Sequence, residues 1–438
     1  MLILPRSPLT IVLHLNGGNK MDIKIPTQIY SEIGDLEGVI IHSPGKEVEN
    51  MTPDNAERAL YSDILNLCVA RAEYNQFKGV LEKVSKTFEI KDLLTQILKN
   101  EKVKQGLVEK VCRYEGAGSI CEHLFSLDGQ ELADALIQGI PIQKNTLSNF
   151  LNKERFALKP LHNFFFTRDA AISVYDNIFV GAMASPVRLR ESLIMESIFD
   201  FHPSFSTKTI NAMTGHEPDP AIAIEGGDVL VARDDILLCG IGSRTTPQGI
   251  DFLLHYLKKK NEKQHILVQE LPMTPESFIH LDMVFTLLDR DLCMIYEPII
   301  MKMNKYQTIH IYAEGGKVQF VREVKNLPEG LRNLGMDLKP VLCGGDDDQW
   351  LQEREQWHSG ANFFALGPGK IIGYARNVHT IKALEKNGFE VIRAKDVLKD
   401  RVDLADYNRY VVTIEGSELP RGGGGARCMT MPVRRRSI

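Results

Sequence analysis

The sequence predicts an α/β fold of about five strand-rich units set as blades round a pseudo-symmetric axis, with a helical domain inserted near the N-terminus. Three observations lead there. Four stretches each hold two apolar runs joined by a tight polar turn, helical patterns lie between those stretches, and the segment from about 57 to 155 switches to helical spacing throughout. A unit that recurs with helices between its copies points to blades rather than to a doubly wound sheet.

In chain order, the stretch from Met1 to Lys20 has an apolar run broken by Arg6 and His14, too short for a signal core and followed by no small-residue cleavage pattern. It reads as a translational extension or a disordered tail, and the whole extension is bounded at 1–26. Residues 37–45, EGVIIHSPG, form an apolar run stopped by Pro-Gly, which predicts a buried strand and a turn. Tyr74, Phe77, Val80, Leu81 and Val84 then recur at helical spacing among lysines and glutamates, as do the apolar residues of ELADALIQGI at 131–140. The helical insertion is placed at 72–155, inside an α/β body made of 27–71 and 156–438. The hairpin pairs fall at 170–183, 221–241, 280–299 and 362–377, with helices expected at 189–199, 247–260 and 379–388.

Composition narrows the function. With 438 residues, 43% hydrophobic and 25% charged, the chain can bury one large core or two ordinary ones. A net charge of -5 supplies no broad cationic field, which argues against a nucleic-acid partner, and the cluster Arg434-Arg435-Arg436 is too short and terminal to change that. No run reaches the roughly 18 apolar residues of a membrane helix. The seven cysteines (68, 112, 121, 239, 293, 343 and 428) are odd in number and lack CxxC spacing, so neither a disulfide framework nor a zinc site is expected, and a reducing compartment fits.

The polar residues that stand at the ends of apolar runs are Asp169 in FFFTRD, Glu225 and Asp228 in IEGGD, His280 and Asp282 in IHLD, and Cys428 after the glycines of RGGGGARC. Singly, each has an ordinary reading. Asp169 can pair with Arg168, EGGD can be a hairpin turn, His280 a satisfied core histidine, and Cys428 an inert thiol on a flexible tail. Together they meet one chemical need. A guanidinium is a planar cation with five N–H donors, and carboxylates such as Asp169 and Asp282 can clamp it in its plane. Attack at its carbon needs a thiolate, which the same carboxylates disfavour until the bound cation offsets them. His280 can protonate departing ammonia and then activate water, with Glu225 holding it protonated and oriented.

The motifs NFFFTRD (163–169), RLRE (188–191), IEGGDVL (224–230), SRTTPQ (243–248), IHLD (279–282), REQW (354–357) and GGARCMTMP (424–432) occur in an order and spacing that resembles arginine deiminase, over about residues 27–433. The resemblance implies a five-bladed pseudo-symmetric α/β propeller with an inserted helical domain, of the guanidine-modifying or pentein superfamily. It implies hydrolysis of L-arginine to L-citrulline and ammonia through a covalent thiouronium on Cys428, with His280 as acid and base, Glu225 as its partner, and Asp169 and Asp282 as the guanidinium clamp. It assigns Asn163, Arg188 and Arg244 to the amino-acid end of the substrate, Phe166 to packing on it, Asp228 to the α-amino group, and Gly422 to the substrate contacts. It implies no cofactor and no metal, a homodimer or tetramer, and a cytoplasmic location.

Two positions depart from the family pattern. Where many members carry an arginine five residues before the cysteine, this chain has Gly423, with Arg421 two residues earlier; and Tyr61-Ser62-Asp63 replaces a phenylalanine and two acids. Alternatives within the superfamily are hydrolysis of a modified arginine, of agmatine or of citrulline, and amidino transfer to an amine. Arg188 and Arg244 together favour a substrate with a carboxylate over agmatine. From a different class, a non-catalytic arginine-binding protein would be free to lose Cys428 and His280, and both are present.

Overall fold

The computed structural model describes residues 24–53, 63–205, 207, 209–212, 219, 221–260 and 262–438. The expected extension at 1–26 lies almost wholly outside them, as do Tyr61 and Ser62.

Strands gather into five sheets of three or more, and one connectivity recurs in them. The hairpin of Ala171–Val174 and Asn177–Val180 is followed by helix Leu189–Phe201 and then by Thr209–Asn211, parallel to the second hairpin strand. Val229–Arg233 and Ile236–Ile241 form a hairpin followed by helix Pro247–Leu257 and the parallel strand Gln264–Glu270. Phe285–Leu287 and Leu292–Ile295 lead through helix Leu327–Asn333 to parallel Lys339–Leu342. Phe364–Gly367 and Lys370–Tyr374 lead to helix Val378–Lys386 and to Glu390–Arg393 and Tyr410–Ile414, all three later strands mutually parallel. The fifth sheet joins the two ends of the chain: Leu36–Ile41 lies antiparallel to Met431–Arg435 and parallel to Lys86–Glu89, which helix Leu67–Val84 precedes.

The hairpins and helices thus stand where the apolar runs put them, in a mixed α/β fold. Two features differ from expectation. The segment read as uniformly helical contains the strand Lys86–Glu89, which owes its conformation to a partner some fifty positions earlier, at Gly38–Ile41, rather than to its own pattern. The second sheet carries an additional hairpin, Thr308–Glu314 with Lys317–Val324, on its outer edge.

Helix Leu189–Phe201 shows why the helices after Glu89 matter to the body. It is buried on nearly all sides, from Arg190 to Phe199. Its apolar face shares one core with Leu93, Leu94, Val108 and Leu136 of the inserted helices. Its polar side is also covered, so its charges take partners: Arg190 Nε lies 3.0 Å from Glu115, and Glu196 pairs with Lys110 at 2.8 Å. Cys112 and Cys121, at the end of helix Glu101–Tyr114 and the start of Cys121–Ser126, are joined as a disulfide. This corrects the expectation drawn from an odd, scattered cysteine count, because the turn between the two helices brings their Cα atoms to 6.1 Å. Among the described residues, no helix is long and apolar enough to cross a membrane.

Candidate active site

Glycines decide how the site closes. A Cβ on Gly226 would lie 2.0 Å from the Arg168 carbonyl oxygen, and one on Gly227 would lie 2.5 Å from the His280 ring. IEGGD is therefore a close approach of backbone to its neighbours, ending in the short 3-10 turn Gly226–Asp228, and not a hairpin turn. The glycine run before Cys428 is similarly wrapped. Gly424 leaves room only for the Phe166 ring and Gly425 only for Asn362, while Gly423 takes φ 86°, the left-handed region. The run is a packed loop, anchored by the Arg168 N–H donating to the Cys428 carbonyl at 3.1 Å.

These loops bring Cys428, His280, Glu225, Asp169 and Asp282 together, all buried. His280 Nε2 is 3.0 Å from Glu225 Oε2, and its Nδ1 is 3.7 Å from Asp169 Oδ1. Burial opposes its charged form, but Asp169, Glu225 and Asp228 outweigh that and raise its pKa to about 9. Cys428 Sγ lies 3.8 and 3.9 Å from the two oxygens of Asp282. Burial, then Asp282 and Asp169, push its thiol well above the ordinary range. Asp282 is itself pushed up by burial, with Arg427 opposing. Asp169 goes the other way: against the effect of burial, His280 and Arg188 hold it below the usual carboxylate range.

The remaining predicted residues fall into two groups. Asp228 is at the centre, where its Oδ1 accepts the Leu281 N–H at 2.8 Å and so fixes the turn between His280 and Asp282; burial raises its pKa to about 6. Arg188 is also buried, and its guanidinium faces inward, 2.7 Å from Asp169 and 2.7 Å from Glu191. Asp169 therefore pairs with Arg188 and not with its neighbour Arg168, which instead donates to the Arg427 carbonyl and to Thr430. Asn163 and Phe166 are buried beside the loop, the Phe166 ring 4.1 Å from that of Phe165. Arg244 and Gly422 belong to the mouth, a cavity of about 40 Å³ that Ser277, Ile279, Trp357 and Gly423 also line. Arg421 turns away to Asp63, with Nε at 2.9 Å, and to Glu418 at 2.7 Å.

Sequence reasoning missed several residues of this centre. Asn362 touches Cys428, Arg427 and Asp282 but reads, in NFFALGPG, as the start of a strand. Arg427 bridges Glu32 and Asp282, and Gln356 of the REQW motif donates to the Ser277 carbonyl at 2.6 Å, pinning the His280 loop. Proximity to Cys428 marked the first of these two, and the motif marked the second. Among the described residues, Asp169, Glu225 and His280 alone bring potential metal-ligand atoms within 4.8 Å of one another. An imidazolium has no free lone pair to give a metal and Arg188 already sits on Asp169, so the donor set is poorly suited to a metal ion.

Fold and site define a class first. The fold is the mixed α/β pentein type: it matches an amidinotransferase of Microseira wollei from a saxitoxin biosynthetic pathway (TM-score 0.54, 14% identity, 94% of this chain and 98% of that one). It also matches the N-terminal domain of a cyanobacterial arginine dihydrolase (TM-score 0.51, 12% identity, 92% and 99%). Within that class, the arginine deiminase family model matches residues 57–435. Arginine deiminases of Bacillus cereus (strain B4264) and Streptococcus uberis are 32% and 33% identical to the chain, each covering 95% of it and 100% of the relative. That of Oenococcus oeni is 30% identical, covering 95% and 99%. The chain belongs to the arginine deiminase family.

Proposed function

We propose that this protein hydrolyses L-arginine to L-citrulline and ammonia. The observation that carries the reading is a buried thiol 3.8 Å from Asp282, in one cluster with Asp169 and a protonated histidine held by Glu225. Such a thiol is hard to ionise until a cation arrives between the carboxylates, which a guanidinium does in the correct plane. Cys428 then attacks the guanidinium carbon. His280 gives its proton to the departing ammonia, leaving a thiouronium on sulfur; neutral His280 takes a proton from water, which attacks the same carbon, and citrulline leaves as the thiol is restored.

At the amino-acid end, Arg244 stands at the mouth and is the group best placed for the carboxylate, with Gly422, Asn163 and Phe166 along the substrate and Asp228 toward the α-amino group. Arg188 reaches the carboxylate only by rotating off Asp169. With Gly423 carrying no side chain and Arg421 paired to Asp63 and Glu418, the carboxylate meets fewer cations than the family pattern offers.

We infer in addition that the five sheets stand as blades round one axis with the site at its centre, and that 72–155 holds an inserted helical domain; the recurring connectivity supports the first, and the core shared by helices Ile90–Ile97, Glu101–Tyr114 and Gly129–Gln138 supports the second, while helix Leu67–Val84 packs on the fifth sheet. A cytoplasmic homodimer or tetramer completes the reading, on family grounds. Ammonia and citrulline are to be measured with arginine, agmatine, methylarginines and citrulline offered in parallel. Turnover of another of these and none of arginine would remove the substrate assignment.

A further inference from the structure

Cys428 faces Asp282 and Asp169, with Arg427 and Tyr374 as the other ionisable groups acting on it, and two uncharged side chains meet its sulfur: Met283 Sδ at 4.0 Å and, closer, the amide of Asn362. Asn362 is 1% exposed and its side chain makes five polar contacts at this point, one of them from Nδ2 to Met283 Sδ at 3.6 Å. Its Oδ1 accepts the N–H of Arg427 at 2.8 Å and of Cys428 at 3.2 Å; its Nδ2 donates to the Asp282 carbonyl at 3.1 Å and lies 3.3 Å from Cys428 Sγ. Those partners fix the direction of the amide, since two backbone N–H groups can only be met by its oxygen. The chain is bent to bring it there: Ser359, three positions earlier, holds φ 59°, a left-handed conformation unusual for a residue with a side chain. The nucleophile loop makes room in turn, because a Cβ on Gly425 would lie 2.6 Å from Asn362 Oδ1.

We propose that Asn362 is a positioning residue for the nucleophile, its side-chain amide donating to the Cys428 sulfur so that the thiolate forms and stays aimed at the substrate carbon. The proposal rests on Cys428 being the nucleophile of the reaction given above. An amide N–H on sulfur favours the anion at a place where both neighbouring carboxylates oppose it. Asn362 acts through Cys428 and orders three groups at once: the sulfur, the backbone of the nucleophile loop and the turn that carries Asp282.

The test is Asn362→Asp, which keeps an oxygen for the two backbone N–H groups and replaces the donor with an acceptor. Alkylation of Cys428 by iodoacetamide is followed against pH without substrate, alongside kcat and KM for arginine. The expected result is an alkylation profile moved to higher pH by about one unit, roughly a tenfold slower reaction at fixed pH, with kcat down at least tenfold and KM within about threefold. An alkylation profile that coincides with the wild type overturns the proposal, whatever happens to kcat. Should the aspartate variant not fold, Asn362→Ser removes the amide without adding charge and takes the same measurements; if neither folds, the residue is architectural and the proposal fails. A wild type that alkylates normally but turns over no arginine overturns the function proposed above and leaves the alkylation comparison valid.

Discussion

Replacing Arg427 with Met tests how the buried charges beside Cys428 are held. The side chain is 1% exposed, and its Nε and Nη2 donate to the two oxygens of Glu32 at 3.0 Å each, its Nη1 to Asp282 at 2.8 Å. Burial alone would raise the pKa of Glu32, but Arg427, with Arg168 and Arg435 behind it, brings it from 4.5 down to about 2. That depression corresponds to about 3–4 kcal/mol at roughly 1.4 kcal/mol per pH unit. Because the folded-state pKa is depressed, that stability is present above about pH 4.5 and is lost as pH falls through about 2. Methionine keeps the unbranched stem without the charge and leaves a buried carboxyl short of its main partner, a change that typically costs about 3–5 kcal/mol. The lower end applies, since Arg168 and Arg435 still face Glu32. The orphaned carboxyl should then titrate above its unfolded value, so the deficit should be larger at pH 8 than at pH 5. Urea unfolding followed by tryptophan fluorescence at both pH values measures it. A deficit below about 1 kcal/mol at pH 8, or one equal at the two pH values, refutes the argument.

Three further outcomes follow from the same geometry. Cys428→Ser should lower citrulline formation by at least about a thousandfold while calorimetry still detects arginine binding; a variant with normal turnover removes the thiol from the mechanism. Gly227→Ala sets a Cβ 2.5 Å from the His280 ring, so kcat should fall on the order of a hundredfold with a smaller change in KM, and an unchanged kcat would mean the ring has freedom to move aside. His42 is buried between Glu47 at 3.3 Å and Glu89 at 3.4 Å, which, against the effect of burial, raise its pKa to about 9; His42 in turn, with the Ser43 N–H and Lys78, holds Glu89 down to about 2. A raised pKa gives stability that is complete below about pH 6.5 and lost as pH rises through about 9, so the thermal midpoint should decline from pH 7 to 10 and do so less in His42→Asn; equal slopes would discount the pair.

What could be read from the sequence depended on the range of the forces involved. The hairpin at 170–183 was legible because apolar alternation and a polar turn, Tyr175-Asp176-Asn177, act within a few residues, and Tyr175 does take φ 57° there. Lys86–Glu89 was not, since KTFE has no pattern of its own and becomes a strand only against Leu36–Ile41. The acids, His280 and Cys428 were legible because they end apolar runs and sit beside glycines that allow close approach. Glu32 was invisible: its partner Arg427 lies 395 positions away, and nothing local distinguishes a buried glutamate from a solvated one. The inward turn of Arg188 was hidden for the same reason, because a motif names a residue and not the carboxylate it faces.

The antiparallel pairing of Leu36–Ile41 with Met431–Arg435 has a temporal consequence. The strand that receives the chain end is among the first segments a ribosome releases, and the segment it awaits follows Cys428 by three residues. Glu32, too, stays without its guanidinium partner until Arg427 emerges. A nascent chain can form its hairpins and helices in sequence, but Asp169 and Asp282 cannot meet the thiol before Cys428 itself has emerged. A product cut short before Cys428 therefore lacks that thiol and leaves the edge of Leu36–Ile41 that Met431–Arg435 covers unpaired, open to another chain's strand.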